Sequence, residues 1–265
     1  MTRRFVDLSI YLENDVVTDP PFLRPKITYQ THRETMVEAG FFFPGLKAED
    51  MPGGEGFAAA EWVTLTTHNG THLDAPYHFA STMNKGERAI TIDEVPLDWC
   101  FQPGVKLDFT ALPDGYVVTA ADVEAELARI GHTLSPLEIV VVNTAAGTRY
   151  GRDDYVTAGC GMGYDATMYL LERGVRTIGL DALNIDETPD ADHSGEGFPA
   201  HHLIAEVGGV ICENLCNLES IDFADPLVQR VSSTANLPLG MIVMPNAQFG
   251  LISRDPILFT HWQSG

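Results

Sequence analysis

The chain has 265 residues, 45% of them hydrophobic, with 37 acidic against 16 basic side chains and a formal net charge of −21. That length suits one large domain or two small ones, and the composition is that of a globular protein with a sizeable core. The charge argues against nucleic acid and anionic membrane as partners, since both repel a polyanion, and no run approaches the ~20 apolar residues that span a bilayer.

The N-terminal MTRRFVDLSIYLEND opens with two arginines, but Asp7, Glu13 and Asp15 interrupt the apolar stretch that a signal peptide needs. Cys100, Cys160, Cys212 and Cys216 are too few and too scattered for a disulfide framework and match no zinc-ribbon spacing. A cytoplasmic protein with reduced thiols is expected.

The first strand-like run is FVDLSIYL, 5–12. Residues 19–56 then carry Pro20, Pro21, Pro25, Pro44, Pro52, Gly53-Gly54 and the triplet Phe41-Phe42-Phe43. They read as a long irregular insertion, either a surface excursion or a pocket lid or subunit contact. EWVTLTTH, 61–68, reads as a strand that delivers His68 at its C-terminal end. Further strands are expected at 104–109, 137–144, 175–181, 209–215 and 239–246. Several are continuous Val/Ile runs of the kind buried on both faces of a sheet.

Helices alternate with these strands. TAADVEAELARIG offers Thr119 as N-cap with Asp122 three residues on, Val123, Leu127 and Ile130 on one face, and Gly131 as the stop. YDATMYLLERG repeats the pattern, with Asp165 as cap, Met168, Leu171 and Val175 on the core side, and Gly174 at the end. The alternation predicts an α/β layer structure. The glycine-rich stretch 159–163 leads into the second helix. It reads as a flexible loop or as an anion-holding turn, and it lacks the spacing of a dinucleotide site.

The chemistry concentrates in HNGTHLDAPYHF, 68–79. Gly70 permits a sharp turn, and Pro76 is expected to bar a helix beyond it. The spacing predicts that His68, His72 and Asp74 converge in a tight loop after a strand, where open α/β sheets place their ligands. Two imidazoles and a carboxylate suit Zn, Mn or Fe, and three ligands leave positions open for water and substrate. A second cluster lies in FPAHHLIAEVGGVICENL, 198–215. There His201 and His202 start a short helix, Gly208-Gly209 lets the chain fold back, and Glu213 sits in a buried strand where a carboxylate needs a partner or a metal. No nucleophile elbow surrounds Ser194 or Ser233.

HNGTHLDAPYHF resembles the signature of the metal-dependent cyclase superfamily, H-x-G-T-H-x-D-x-P-x-H, over its whole length. Bacterial kynurenine formamidases and isatin hydrolases belong to that superfamily. FVDLSI, GMGYDATMYLLERGVRTIGLDA and the spacing from His201 to Glu213-Asn214-Leu215 are similar to it too. The resemblance implies a single α/β domain over 1–265 with a mixed β core flanked by helices, acting as a homodimer or homotetramer. It implies that His68, His72 and Asp74 bind the metal and that His78 is the catalytic acid or base. His201 and Glu213, with His202 as an alternative to His201, would bind a second metal or form a polar wall.

The function so implied is a metal-dependent amidohydrolase acting on a non-peptide C–N bond of a small aromatic or cyclic substrate. It would use one or two Mn or Zn ions, a metal-activated water and His78 as base. Opening of an isatin-like lactam is preferred over hydrolysis of N-formylkynurenine because of the 19–56 insertion. Phe41, Trp62 and Tyr77 are candidates for stacking on the substrate, or else core or interface residues. Two other readings are a metal-dependent lyase or isomerase, and a binding protein that has lost the chemistry.

Overall fold

In a computed structural model that describes residues 6–187, 197–221 and 230–232, the chain forms in order β1 (Lys26–Gln30), α1 (His32–Phe42), β2 (Ala60–Thr64), β3 (His72–Asp74), α2 (Pro76–Phe79), β4 (Thr82–Met83), β5 (Glu87–Arg88), β6 (Phe101–Asp108), β7 (Val117–Val118), α3 (Ala120–Ile130), β8 (Ile139–Asn143), β9 (Gly161–Met162), α4 (Tyr164–Glu172), β10 (Thr177–Leu180), α5 (Pro199–Val207), β11 (Val210–Glu213) and β12 (Arg230–Ser232). Six strands make the central sheet, in the order β12-β6-β8-β10-β11-β3. β6, β8, β10 and β11 are parallel. Among the described residues, β3 and β12 lie at the two ends of this order, both antiparallel to their neighbours. The fold is therefore mixed α/β, as the alternation of elements predicts.

The Val/Ile runs are apolar throughout because both faces of the sheet are covered. Along β8, Val140 and Val142 join Val105, Leu107, Ile178, Leu180 and Ile211 beneath Val123 and Leu127 of α3 and Ala166 and Leu170 of α4. Ile139 and Val141 point the other way, against Leu73, Val95, Cys100, Val210 and Cys212. Burying a side chain of this size is worth about 1.5–3 kcal/mol.

The caps of α3 are those expected. Thr119 Oγ1 accepts from the Asp122 N–H, Asp122 accepts in return from the Thr119 N–H, and Gly131 closes the helix at φ +66°. In α4 the N-cap is Gly163 rather than Asp165, which lies in the first turn.

Three expectations need correction. Within 5–12 the described residues form no strand, only a single antiparallel bridge from Ser9 to Leu215. The strand at 61–68 ends at Thr64 and pairs with β1 in a separate two-stranded sheet, so His68 sits in a turn beyond it. The 19–56 segment is not irregular: it holds β1 and the eleven-residue α1, whose N-terminus carries a full capping box between Thr31 and Glu34. The run at 239–246 lies outside the described residues. Among the described residues, no helix is long and apolar enough to cross a membrane.

Candidate metal centre

The site grows from strand register. β3 and β11 pair antiparallel with Glu213 directly opposite His72, and side chains directly opposite on one face of such a pair meet. Asp74 lies two residues from His72, and so points to the same face. His72, Asp74 and Glu213 are all buried, on the side of the sheet that the helices cover. His72 and Asp74 are thus on the edge strand itself, not in a loop as expected. Only His68 comes from the preceding turn.

That turn is held on three sides. The Asn69 side chain accepts from the Thr66 N–H (2.7 Å) and donates to the Leu23 carbonyl (2.8 Å). Gly70 takes φ +69°, a region that favours glycine, over the side chain of Leu12. Thr71 Oγ1 donates to the Asn214 carbonyl and accepts from the Ile10 N–H. Pro76 then starts α2 rather than barring a helix, because the first helical position has no use for an N–H. The short helix places His78 near the site, and α5 packs across α2 and β11 to bring in His201.

Asp74 is the centre of the cluster. His68 Nδ1 and His72 Nε2 lie 2.9 and 3.4 Å from its Oδ1, and His78 Nε2 and His201 Nε2 lie 3.8 and 4.0 Å from its Oδ2. Glu213 completes the ring, 3.7 Å from His72 Nε2 and 3.6 Å from His201 Nε2. Two sets of donor atoms, His68/Asp74/His78 and His72/Asp74/Glu213, each fit within 4.8 Å and share Asp74. Of the adjacent pair, His201 enters the site and His202 is exposed.

The donors are aimed and unspent. His72 Nδ1 donates to the Gly70 carbonyl at 2.8 Å, which leaves Nε2 to face the carboxylates. His72 Nε2 and Asp74 Oδ1 are buried, and although His68 Nδ1 and His72 Nε2 both approach that oxygen, neither aligns with it as a hydrogen bond, where such groups are almost always satisfied. Burial works to raise the Asp74 pKa, but His68 and His72 outweigh it and hold the carboxyl well below its usual range. Burial and the Asp74 charge push Glu213 up. Burial opposes charge on His72, yet Asp74 and Glu213 carry it up to about 9. Two buried carboxylates, Asp74 and Glu213, here face the imidazoles of His68, His72, His78 and His201. A divalent ion with N and O ligands fits the donor set.

His78 is different. Its side chain is 38% exposed, and burial lowers its pKa. Its ring packs on that of His68 at 3.8 Å between centroids.

Phe41, Trp62 and Tyr77 are all exposed, at 82%, 64% and 56%. Trp62 Nε1 donates to Gln30, away from the histidines. The aromatic side chains that touch the cluster are instead Phe79, stacked on His201 at 4.1 Å and 27°, and Phe198, edge-on to the same ring. Phe79 closes the signature stretch, so its place was open to a periodicity argument; Phe198 gave no signal beyond its type.

A model of the Cyclase family matches residues 6–187. The kynurenine formamidase of Salinibacter ruber is 30% identical over 154 residues, 58% of this chain and 63% of that protein, so less than two thirds of that relative is spanned. The kynurenine formamidase of Bacillus cereus is 23% identical over 218 residues, 81% of this chain and 83% of that one. Among solved structures, isatin hydrolase A from Ralstonia solanacearum has the same fold, with a TM-score of 0.64 at 19% identity, over 82% of this chain and 81% of that one.

Proposed function

Since the chain belongs to the cyclase family, we propose that it is a metal-dependent hydrolase cleaving an amide C–N bond in a small aromatic or cyclic substrate. The observation that carries this reading is the convergence of two donor sets on buried Asp74, with His72 Nε2 and Asp74 Oδ1 lacking an aligned hydrogen bond inside the ring. His68, His72 and Asp74 would hold one Zn or Mn ion, and His201 and Glu213 extend the donor set towards a second. When bound, such an ion polarises a substrate carbonyl and acidifies water.

The other steps belong to the chain. His78, kept neutral near pH 7 by its lowered pKa, takes a proton from the attacking water and passes it to the leaving nitrogen. The ring of His68 and the turn of α2 fix its position. Beside it Pro76, Phe79, Ile204 and Ile211 line a recess with room for about one water molecule. Opening of an isatin-type lactam is the preferred reaction, on the strength of the long 19–56 segment, which carries β1 and α1. Kynurenine formamidase activity is the second reading, favoured by the 30% identity to the Salinibacter protein. We place the enzyme in the cytoplasm as a homodimer or homotetramer, which light scattering on the purified protein checks.

The test is ultraviolet turnover of isatin and of N-formylkynurenine by protein stripped of metal and reloaded with Zn or Mn. Metal-dependent turnover of one substrate is expected. His78→Ala is expected to lower it by about 10²–10⁴-fold with metal stoichiometry unchanged. Full turnover by that variant, metal still bound, refutes the role given to His78.

A further inference from the structure

Asp186 follows β10 in the short segment Asn184-Ile185-Asp186, and it is 3% exposed. Its carboxylate faces the first turn of α5. Oδ1 accepts from the Ala200 N–H at 2.7 Å, and Oδ2 from the His201 N–H at 3.2 Å. Oδ2 also lies 2.6 Å from Nδ1 of the His201 ring. A carboxylate can only accept there, so Nδ1 carries the hydrogen and Nε2 of the neutral ring is left with its lone pair. Nε2 is the atom that faces Asp74 and Glu213. The Phe79 ring, stacked over His201, fixes the plane in which the imidazole lies. The neighbouring Ile185 N–H donates to Glu213 Oε1 at 3.0 Å. One three-residue segment therefore orients both side chains on the α5 side of the cluster.

We propose that Asp186 is the positioning residue for the second half of the site: it sets the His201 tautomer so that Nε2 serves as a ligand for a second divalent ion shared with Asp74 and Glu213. This rests on the reading of the cluster as a metal centre. Carboxylates behind ligating histidines are a general device, and their removal costs about 10–100-fold in metal affinity. Helix capping alone does not explain the arrangement. An asparagine at 186 has one acceptor oxygen in place of two: kept on the Ala200 N–H, it turns its NH2 towards His201, where it favours an Nδ1 without hydrogen.

Two measurements on the full chain test this. Long-range 1H–15N NMR of histidine-labelled, metal-free protein, at a pH where the ring is neutral and with His201 assigned by comparison with His201→Gln, reads the tautomer directly. The Nδ1–H form is expected in the wild type and the Nε2–H form in Asp186→Asn. Calorimetric titration with Zn or Mn then reads the stoichiometry. The wild type is expected to take two equivalents. Asp186→Asn is expected to keep the first at wild-type affinity and to bind the second about 10–100-fold more weakly.

An Nε2–H wild-type ring overturns the proposal, and that result needs no variant to fold. So does a wild type that takes one equivalent only, or an Asp186→Asn that binds both at wild-type affinity. A wild type that binds no divalent ion sinks the metal-centre reading itself, and is distinguishable because the tautomer is read without metal.

Discussion

Replacing Gly70 by alanine measures how far the turn between His68 and His72 depends on one missing methyl group. At φ +69° an alanine is strained, by about 1–2 kcal/mol. Its Cβ would also stand 2.8 Å from Leu12 Cδ2 and 3.3 Å from Cγ. Leu12 is 1% exposed and packed with Ile27, Val63 and Leu65. With both carbons in the way, rotating one methyl does not clear the overlap, and overpacking adds about 1–3 kcal/mol. The total of ~2–5 kcal/mol corresponds to a fall in Tm of about 4–20 °C for a domain of this size. Gly131 is the internal control: its φ is +66°, and nothing lies within 4 Å of its Cβ position, so Gly131→Ala carries the strain alone. Thermal unfolding followed by circular dichroism compares the two. In a Leu12→Ala background the cost of Gly70→Ala should drop to that of Gly131→Ala. If Gly70→Ala is no worse than Gly131→Ala in the wild type, the packing argument for this turn is wrong.

Three other outcomes are expected. Each ion at 100 times its Kd stabilises the folded state by about 2.7 kcal/mol, and Glu213→Gln, which removes a carboxylate 3.7 Å from His72 Nε2, should lose the second ion's share and keep the first in a thermal-shift titration; an undiminished shift removes Glu213 from the ligand set. Burial raises the Asp181 carboxyl to about 6 from an ordinary 3.8, so the folded state binds its proton more tightly than the unfolded chain and stability falls as pH rises through that interval. Denaturant titrations should show the wild type losing about 2 kcal/mol relative to Asp181→Asn between pH 4 and pH 7, and a flat difference contradicts the burial argument. Finally, Leu170→Ala, at a position with no exposure between α4 and the sheet, should cost about 2–5 kcal/mol by the same titrations while leaving metal stoichiometry intact.

Legibility in the sequence tracks the range of the interactions involved. The caps of α3 are local, so Thr119, Asp122 and Gly131 announce them. The double-faced strands β8, β10 and β11 are legible because burial on both sides leaves an uninterrupted apolar run. The ligand types in 68–78 are legible because the relevant positions lie within one stretch. The pairing of Glu213 with His72 is not, since it is a cross-strand register between residues 141 positions apart. Asp186 escapes notice for the same reason: an acid in LNIDE looks like any loop polarity until α5 packs above it. The Thr31–Glu34 capping box, by contrast, is in plain view. The prolines and glycines on either side of it hide α1 inside a segment that reads as irregular.

β3 has only three residues, and among the described residues its one ladder is with β11. Two of those three residues are donors of the cluster. An ion shared with Glu213 would therefore act as a cross-link between the edge and its neighbour. Loading of the centre and docking of the edge become one equilibrium, in which the ion lowers the frequency of local opening. Amide hydrogen exchange at Leu73, whose neighbours on both sides are donors, then becomes a gauge of occupancy that needs no substrate.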